Sequence, residues 1–402
     1  MPIMPSPSRL QPGSEETPSS GRAILSGLCA SLVGIGLARF AYTPLVPILI
    51  EQGWLSPTQA GYLGAGNFTG YLIGAMIASP LVERFGAVLP LRAMMLLAVA
   101  AFFACAEPLS FSWLFFWRLA AGVSGGVLMV LAAPAVLPHL PEHRRGLGAG
   151  AIFTGVGLGI ALSGTLIPLL LQAGLVATWC GLGVLSLILT GIAWSGWPRQ
   201  QRQPHERPSK DSLQPSRIAI VILIVYGLDA VGLVPHMIFL VDFVARGLGR
   251  GLHEGAFDWV LLGLGALVGP IGAGFLADRV GFRGAMRFAL LVQGVIVAAT
   301  TLLADPIMVA MSSFVMGAFI PGIVPPVLGR LRELHAGDPQ RQQRAWARAT
   351  IAFALMQAAA GYGFSWLYSV SLDYRLLFGG AAAALLLGFV LDIAFARSPA
   401  SR

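Results

Sequence analysis

The sequence predicts an all-α membrane protein, with twelve transmembrane helices in two pseudo-symmetric six-helix bundles. Three observations carry that expectation. Of 402 residues, 56% are hydrophobic and 11% charged, where a soluble domain has about a quarter charged. Apolar runs of eighteen residues or more recur along the chain, each long enough for a hydrocarbon core of about 30 Å. They are continuous rather than alternating, which excludes a transmembrane barrel. The chain also repeats itself. Residues 79–86 align with 274–281 at an offset of 195, and the same offset carries Arg22, ahead of the first run, onto Arg217, ahead of the seventh. Duplicated six-helix units are a known architecture of secondary transporters.

Residues 1–21, rich in Pro, Ser and Gly, read as a disordered tail. They lack the basic start and small-residue cleavage site of a secretory signal. Spans follow at 22–50, 57–81, 90–107, 112–138, 147–171 and 174–196, forming an N-terminal bundle over 22–197. A second set at 217–244, 255–276, 286–304, 307–329, 349–370 and 375–396 forms a C-terminal bundle over 217–396. Between them, 198–216 is proline-rich, carries Arg199, Arg202, Arg207 and Lys210, and reads as a flexible linker. Residues 397–402 are a C-terminal tail. With both termini cytoplasmic, the inside segments hold 21 of the 26 Lys and Arg. The outside loops then hold only Arg246, Arg250 and Arg375, while Arg39 and Arg118 fall within helices. That bias fixes the expected orientation. The net charge of +8 therefore reports topology and gives no reason to expect a nucleic-acid partner.

Other segments are less specific. Cys29, Cys105 and Cys180 lie inside apolar runs without metal-type spacing and read as packing residues. Residues 330–348, with Arg332, Arg341, Arg344 and Arg348 around Trp346, read either as an amphipathic helix on anionic headgroups or as a solvated connector. Gly66, Gly70 and Gly74, and likewise Gly155 and Gly159, recur at four-residue spacing, which lets helices approach closely in lipid.

Ionisable residues inside the spans are the candidates for function, because each is costly there unless it meets a partner or a cavity. Arg39 lies seventeen residues beyond Arg22, roughly 25 Å along a helix. It either presents a guanidinium fork to an anionic group such as a carboxylate or forms a permanent ion pair with an acid such as Asp229. Asp229 and His236 lie seven residues apart on one face of the seventh helix. Asp229 is a candidate proton carrier or a static partner of a basic residue. His236 is a titratable cavity residue or a hydrogen-bonded core side chain. Tyr42, Asn67, Tyr71, Tyr362 and Tyr368 are further cavity candidates, each with helix packing as its alternative. Asp242 and Asp258 sit nearer the outer edge.

The run Gly274, Phe275, Leu276, Ala277, Asp278, Arg279, Val280, Gly281, Phe282, Arg283 resembles the signature loop G-x-L-A-D-R-x-G-R-R of the major facilitator superfamily, with Phe282 replacing one basic residue. Its degraded copy places Glu83, Arg84 and Gly86 where Asp278, Arg279 and Gly281 stand. The opening from Gly36 to Pro47, with Trp54 to Gly64, resembles the YbfB/YjiJ-type bacterial branch of that superfamily. The resemblance implies the major facilitator fold in a bacterial inner membrane, a monomer, and signature loops that latch the cytoplasmic side. It also implies that Arg118, followed by Gly122 as in the superfamily's fourth helix, takes part in proton coupling or holds the charge balance of the cavity. The alternative for Arg118 is a structural tie to neighbouring carbonyls. Gln357 echoes a glutamine of the family's eleventh helix. Gly155, Gly159 and Gly164 fit the antiporter pattern G-x-x-x-G-P-x-x-G-G, from which Ile160 and Ser163 depart.

These readings converge on a secondary active transporter that moves a small organic solute by alternating access, coupled to protons. No G-x-x-x-x-G-K-[ST] loop is present to bring ATP, and no cofactor or metal is implied. A lipid-modifying enzyme would need clustered catalytic groups, whereas the six histidines are scattered. A sensor that binds without translocating is the remaining alternative.

Overall fold

The computed structural model describes residues 19–198 and 216–395 and contains no strand among them. The tail before residue 19, the linker at 199–215 and the C-terminal tail lie outside the described residues.

In the first half, α1 spans Ser20–Glu51 without being one regular helix. Its winding loosens to π-helix over Leu32–Leu37 and tightens to 3-10 turns over Phe40–Leu45. Pro44 accounts for the second of these, since it has no N–H to donate and its ring crowds the preceding turn. Helix α2 (Pro57–Phe85) opens on a capping box between Ser56 and Gln59 and closes at Gly86. Helices α3 (Val88–Cys105), α4 (Phe111–Val136), α5 (Glu142–Leu170) and α6 (Leu175–Ala193) complete the half.

The second half begins with α7 (Arg217–Ile238), capped by Ser216. The helical stretch Gly251–Leu303 is 53 residues long, and one straight helix of that length would run about 80 Å. Gly281 breaks it, with φ 75° and ψ 160°, into α8 (251–280) and α9 (282–303). Helices α10 (Pro306–Leu334), α11 (Pro339–Ser371) and α12 (Tyr374–Phe395) follow. Ten helices qualify as membrane spans by length and apolarity when Gly251–Leu303 counts once. Separating α8 from α9, and adding α11, which Gln357, Tyr362 and Ser365 dilute, gives the expected twelve among the described residues.

Several helices outrun their apolar spans, because intrahelical hydrogen bonding does not stop at the membrane edge. Residues 330–348 are thus neither a separate surface helix nor a loose connector. They are the ends of α10 and α11 with a turn between. The signature stretch before Gly281 is also helical. Within it Gly274 has open space where a Cβ would stand, whereas Gly281 (φ 75°), like Gly86 (φ 72°) in the first half, takes a left-handed angle.

The 195-residue repeat holds at single contacts. A Cβ at Gly70 or Gly74 would fall 2.0 Å from Leu119 O or 2.2 Å from Val123 O, so α2 and α4 touch backbone to backbone. At the same offset, Gly265 and Gly269 meet Phe314 O at 2.1 Å and Ala318 O at 1.8 Å, joining α8 to α10. Ser110 and Asp305, again 195 apart, cap α4 and α10. Most of these glycines hold helices together within a half. Contact between the halves comes from α5 on α8, where Gly157 meets Leu267, and from α2 on α11, where Gly361 meets Ala65. Each half has its own apolar core, and the second extends across the interface to take in Ile35, Phe40, Phe68, Tyr71, Val156 and Ile160.

Candidate transport site

Arg39 stands at the irregular part of α1, between the π-helical and 3-10 turns. Its guanidinium carbon lies 4.6 Å from the Phe68 ring centre, 4.8 Å from Tyr71 and 5.5 Å from Phe40. This aromatic collar favours a cation held out of water. One edge stays in use: Arg39 Nη2 donates to Gln357 Oε1 of α11, across the boundary between halves. Gln357 is fully buried, and its Nε2 lies 3.2 Å from Met237 Sδ. Arg39 itself keeps part of its surface accessible.

Asp229 is not the partner of Arg39. It accepts a 3.0 Å hydrogen bond from Gln293 of α9, inside the second half. Position along the helices placed both groups inside the membrane but did not tell which way each one turns.

Arg118 serves the backbone of α1. Its Nη1 donates to Ala38 O at 2.7 Å and its Nη2 to Arg39 O at 3.4 Å, the carbonyls at the irregular segment. The ring of Tyr42 lies 4.4 Å from its guanidinium, Tyr42 Oη donates to Ala60 O, and Asn67 Nδ2 donates to Arg118 O. Tyr42 and Asn67, expected at the cavity, instead brace this scaffold between α1, α2 and α4. The space beside Arg118 is walled by Ala38, Phe102, Cys105, Ala121 and Trp179 of α1, α3, α4 and α6, has no room for a water, and belongs to the interior of the first half.

His236 is sealed: its Nε2 shares a 2.8 Å hydrogen bond with Ser312 Oγ of α10, and its ring meets Phe378 edge-on. Tyr71 and Gln357 are thus the candidates that join Arg39 directly. Tyr362 lies on the neighbouring α2–α11 seam, where Thr69 Oγ1 donates to its hydroxyl at 3.2 Å, and Tyr368 packs on Phe239. Two further bonds between described residues cross the halves, Trp259 Nε1 to Ser163 Oγ at 3.0 Å and Thr43 Oγ1 to Met237 O.

At the signature-loop ends of the helices, Glu83, Arg84, Asp278 and Arg279 are exposed, and Arg279 lies over Phe275. Arg283 comes within 4.0 Å of Asp392 of α12, which also holds Arg287 at 2.7 Å and Arg330. That cluster escaped sequence reasoning, as did Phe40, Phe68, Gln293 and Ser312. Asp392, an acid in the last apolar span, was the available signal.

Two repeated helical bundles tied together through a part-accessible cation are the architecture of a secondary transporter. The chain belongs to the family described as "Uncharacterised MFS-type transporter YbfB", which matches residues 31–393. It is therefore a multi-pass membrane transporter and not an enzyme. A Haemophilus influenzae protein provisionally described as a metabolite transport protein is 24% identical over 393 residues, covering 91% of this chain and 93% of that one. The 4-hydroxybenzoate transporter PcaK of Acinetobacter baylyi is 27% identical over 151 residues, 38% of this chain and 33% of its own. The crystal structure of a D-xylose–proton symporter superposes with a TM-score of 0.68 at 15% identity, covering 94% of this chain and 97% of the symporter. That likeness speaks for the fold.

Proposed function

We propose that this protein carries a small aromatic carboxylate across the bacterial inner membrane by alternating access, as a monomer with both termini cytoplasmic, driven by the proton gradient. One observation carries the reading: Arg39, part-accessible and collared by rings, is held to the opposite half only by a neutral amide, Gln357. A substrate carboxylate is a stronger acceptor for a guanidinium than an amide oxygen, so it displaces Gln357. Phe68 and Tyr71 then offer faces to an aromatic ring. Replacing the Arg39–Gln357 bond by a substrate bond frees a tie between the halves and lets them rock. The partial similarity to a 4-hydroxybenzoate transporter supports the choice of acid.

The test is uptake into proteoliposomes. Radiolabelled benzoate and 4-hydroxybenzoate are to be taken up faster with an inward proton gradient than without, and benzamide is not to compete. Equal competition by benzamide refutes an anion site at Arg39.

A further inference from the structure

The donor edge of Arg39 is half used. In a guanidinium, Nε–H and one N–H of Nη2 point the same way, a two-pronged edge that matches the two oxygens of a carboxylate. At Arg39 the Nη2 prong donates to Gln357 Oε1. The Nε prong is shut from solvent and has no hydrogen-bond partner among the described residues. Phe40, Phe68 and Tyr71 surround the guanidinium and stabilise its charge through their ring faces, which leaves the Nε–H without an oxygen. A buried donor left unpaired is costly, so the edge is one acceptor short.

Gln357 does not supply that acceptor. An amide has one oxygen, and the other end of this one, Nε2, lies against Met237 Sδ at 3.2 Å. A thioether is a weak acceptor, so the amide gives up little there when it swings away. Met237 is itself fixed, because Thr43 Oγ1 of α1 donates to its carbonyl. The four residues form a circuit that leaves α1 at Arg39 and returns to it at Thr43, four residues on. An incoming anion can replace the Arg39–Gln357 link, whereas the Thr43 link runs to a main-chain oxygen.

Arg118 provides the contrast. Its Nε is likewise without a hydrogen-bond partner among the described residues, but its Nη1 and Nη2 hold the carbonyls of Ala38 and Arg39, which no ligand displaces. Of the two arginines, Arg39 combines a vacant prong with a side-chain acceptor that can leave. We infer that Arg39 takes its ligand side-on, with one acceptor atom on Nε and a second, in the place of Gln357 Oε1, on Nη2. The inference rests on the carboxylate reading above and sets the ligand class, a planar anion carrying two acceptors side by side. Carboxylates qualify, and so do tetrazolates, through adjacent ring nitrogens. A phenolate, with the same charge on one oxygen, does not fill the edge.

Purified full-length protein, isotope-labelled at arginine Nε, is to be titrated in detergent and followed by NMR, the Arg39 signal being assigned by its loss in Arg39→Lys. Benzoate and phenyltetrazolate are to move the Arg39 Nε–H resonance downfield, as a new hydrogen bond requires. Pentafluorophenolate is to bind about 10- to 100-fold more weakly than benzoate, for want of one charge-assisted bond. Gln357→Leu, which removes the competing amide, is to bind benzoate about tenfold more tightly than wild type. Benzoate binding that leaves the Nε–H resonance in place, or pentafluorophenolate binding as tightly as benzoate, overturns the side-on edge. If Arg39→Lys does not insert, the two affinity comparisons decide, with weaker benzoate binding by Gln357→Leu counting against the inference. Formate separates the edge from the substrate. Movement of the resonance with formate but no binding of benzoate keeps the edge and removes the aromatic substrate, and no movement with either overturns the edge and the anion site together.

Discussion

Arg39 of the first half and Gln357 of the second share a hydrogen bond across the boundary between them. The bond joins a charge to a neutral acceptor, so its replacement by a true anion alters the attraction between the halves. Gln357→Glu supplies that anion permanently. Transport of carboxylates is expected to stop in this variant while its thermal midpoint stays level or rises. Arg39→Ala is expected to lose about 100-fold in counterflow, in line with the roughly 3 kcal/mol that removing one partner of a buried charged pair costs. Arg39→Lys should restore little, because an ammonium lacks the planar fork. Full transport by Gln357→Glu would remove the latch from the mechanism.

Arg118 differs from Arg39 in what it holds. Its guanidinium satisfies the carbonyls of Ala38 and Arg39 where α1 departs from regular winding. Arg118→Met keeps the apolar stem but leaves those acceptors bare, at a cost of about 1–3 kcal/mol each. The expected result is a thermal midpoint several degrees lower and weaker carboxylate binding, since Arg39 loses its backbone support. A variant of wild-type stability that binds normally yet ignores the proton gradient would assign Arg118 to coupling instead.

The two halves were legible from the repeated loop and from Arg22 and Arg217 at one offset, and glycine at the close crossings repeats the same way. Gly70 and Gly265, or Gly86 and Gly281, recur at one offset because each position admits nothing larger or no other backbone angle. Arg39 was legible for a related reason, as an arginine deep in an apolar run demands explanation. Its partner was not. Choosing between Asp229 and Gln357 requires the rotation of α7 and α11 about their axes, which span boundaries do not give. Phe40 and Phe68 were hidden because an aromatic in a membrane helix looks like any lipid-facing side chain. Gln293, the lone polar side chain between Phe288 and Ala299 of α9, carried a signal that was there to be read.

The close crossings yield a stability prediction with an internal control. Gly269→Ala places a Cβ 1.8 Å from Ala318 O, and Gly74→Ala one 2.2 Å from Val123 O. Both obstacles are backbone, so helices must separate, at about 1–3 kcal/mol for overpacking. Gly272→Ala on the same α8 meets nothing within 4 Å and gains about 1 kcal/mol of helix propensity. Thermal unfolding in detergent should therefore rank Gly272→Ala at or above wild type and the other two well below. Equal midpoints for all three would mean that α8 and α10 do not cross as closely as described.

Asp392 anchors the signature-stretch end of the second half through unequal partners. Arg330, 5% exposed, and Arg287, 2.7 Å away, are held tightly, whereas Arg283 is 36% exposed and 4.0 Å distant. Asp392→Asn leaves the buried Arg330 without its carboxylate, and breaking a buried pair in this way costs about 3–5 kcal/mol. Arg283→Ala removes an exposed partner, worth under about 1 kcal/mol. The midpoint should fall steeply for the first and hardly at all for the second, with salt changing little because the pair is shielded from solvent. The contrast matters for gating, because Arg283 belongs to the signature stretch while Asp392 lies in α12. If Arg283→Ala slows counterflow without lowering the midpoint, the arginine acts on the conformational cycle and not on the stability of the bundle. A large loss of stability in Arg283→Ala would instead make it a structural member of the Asp392 cluster.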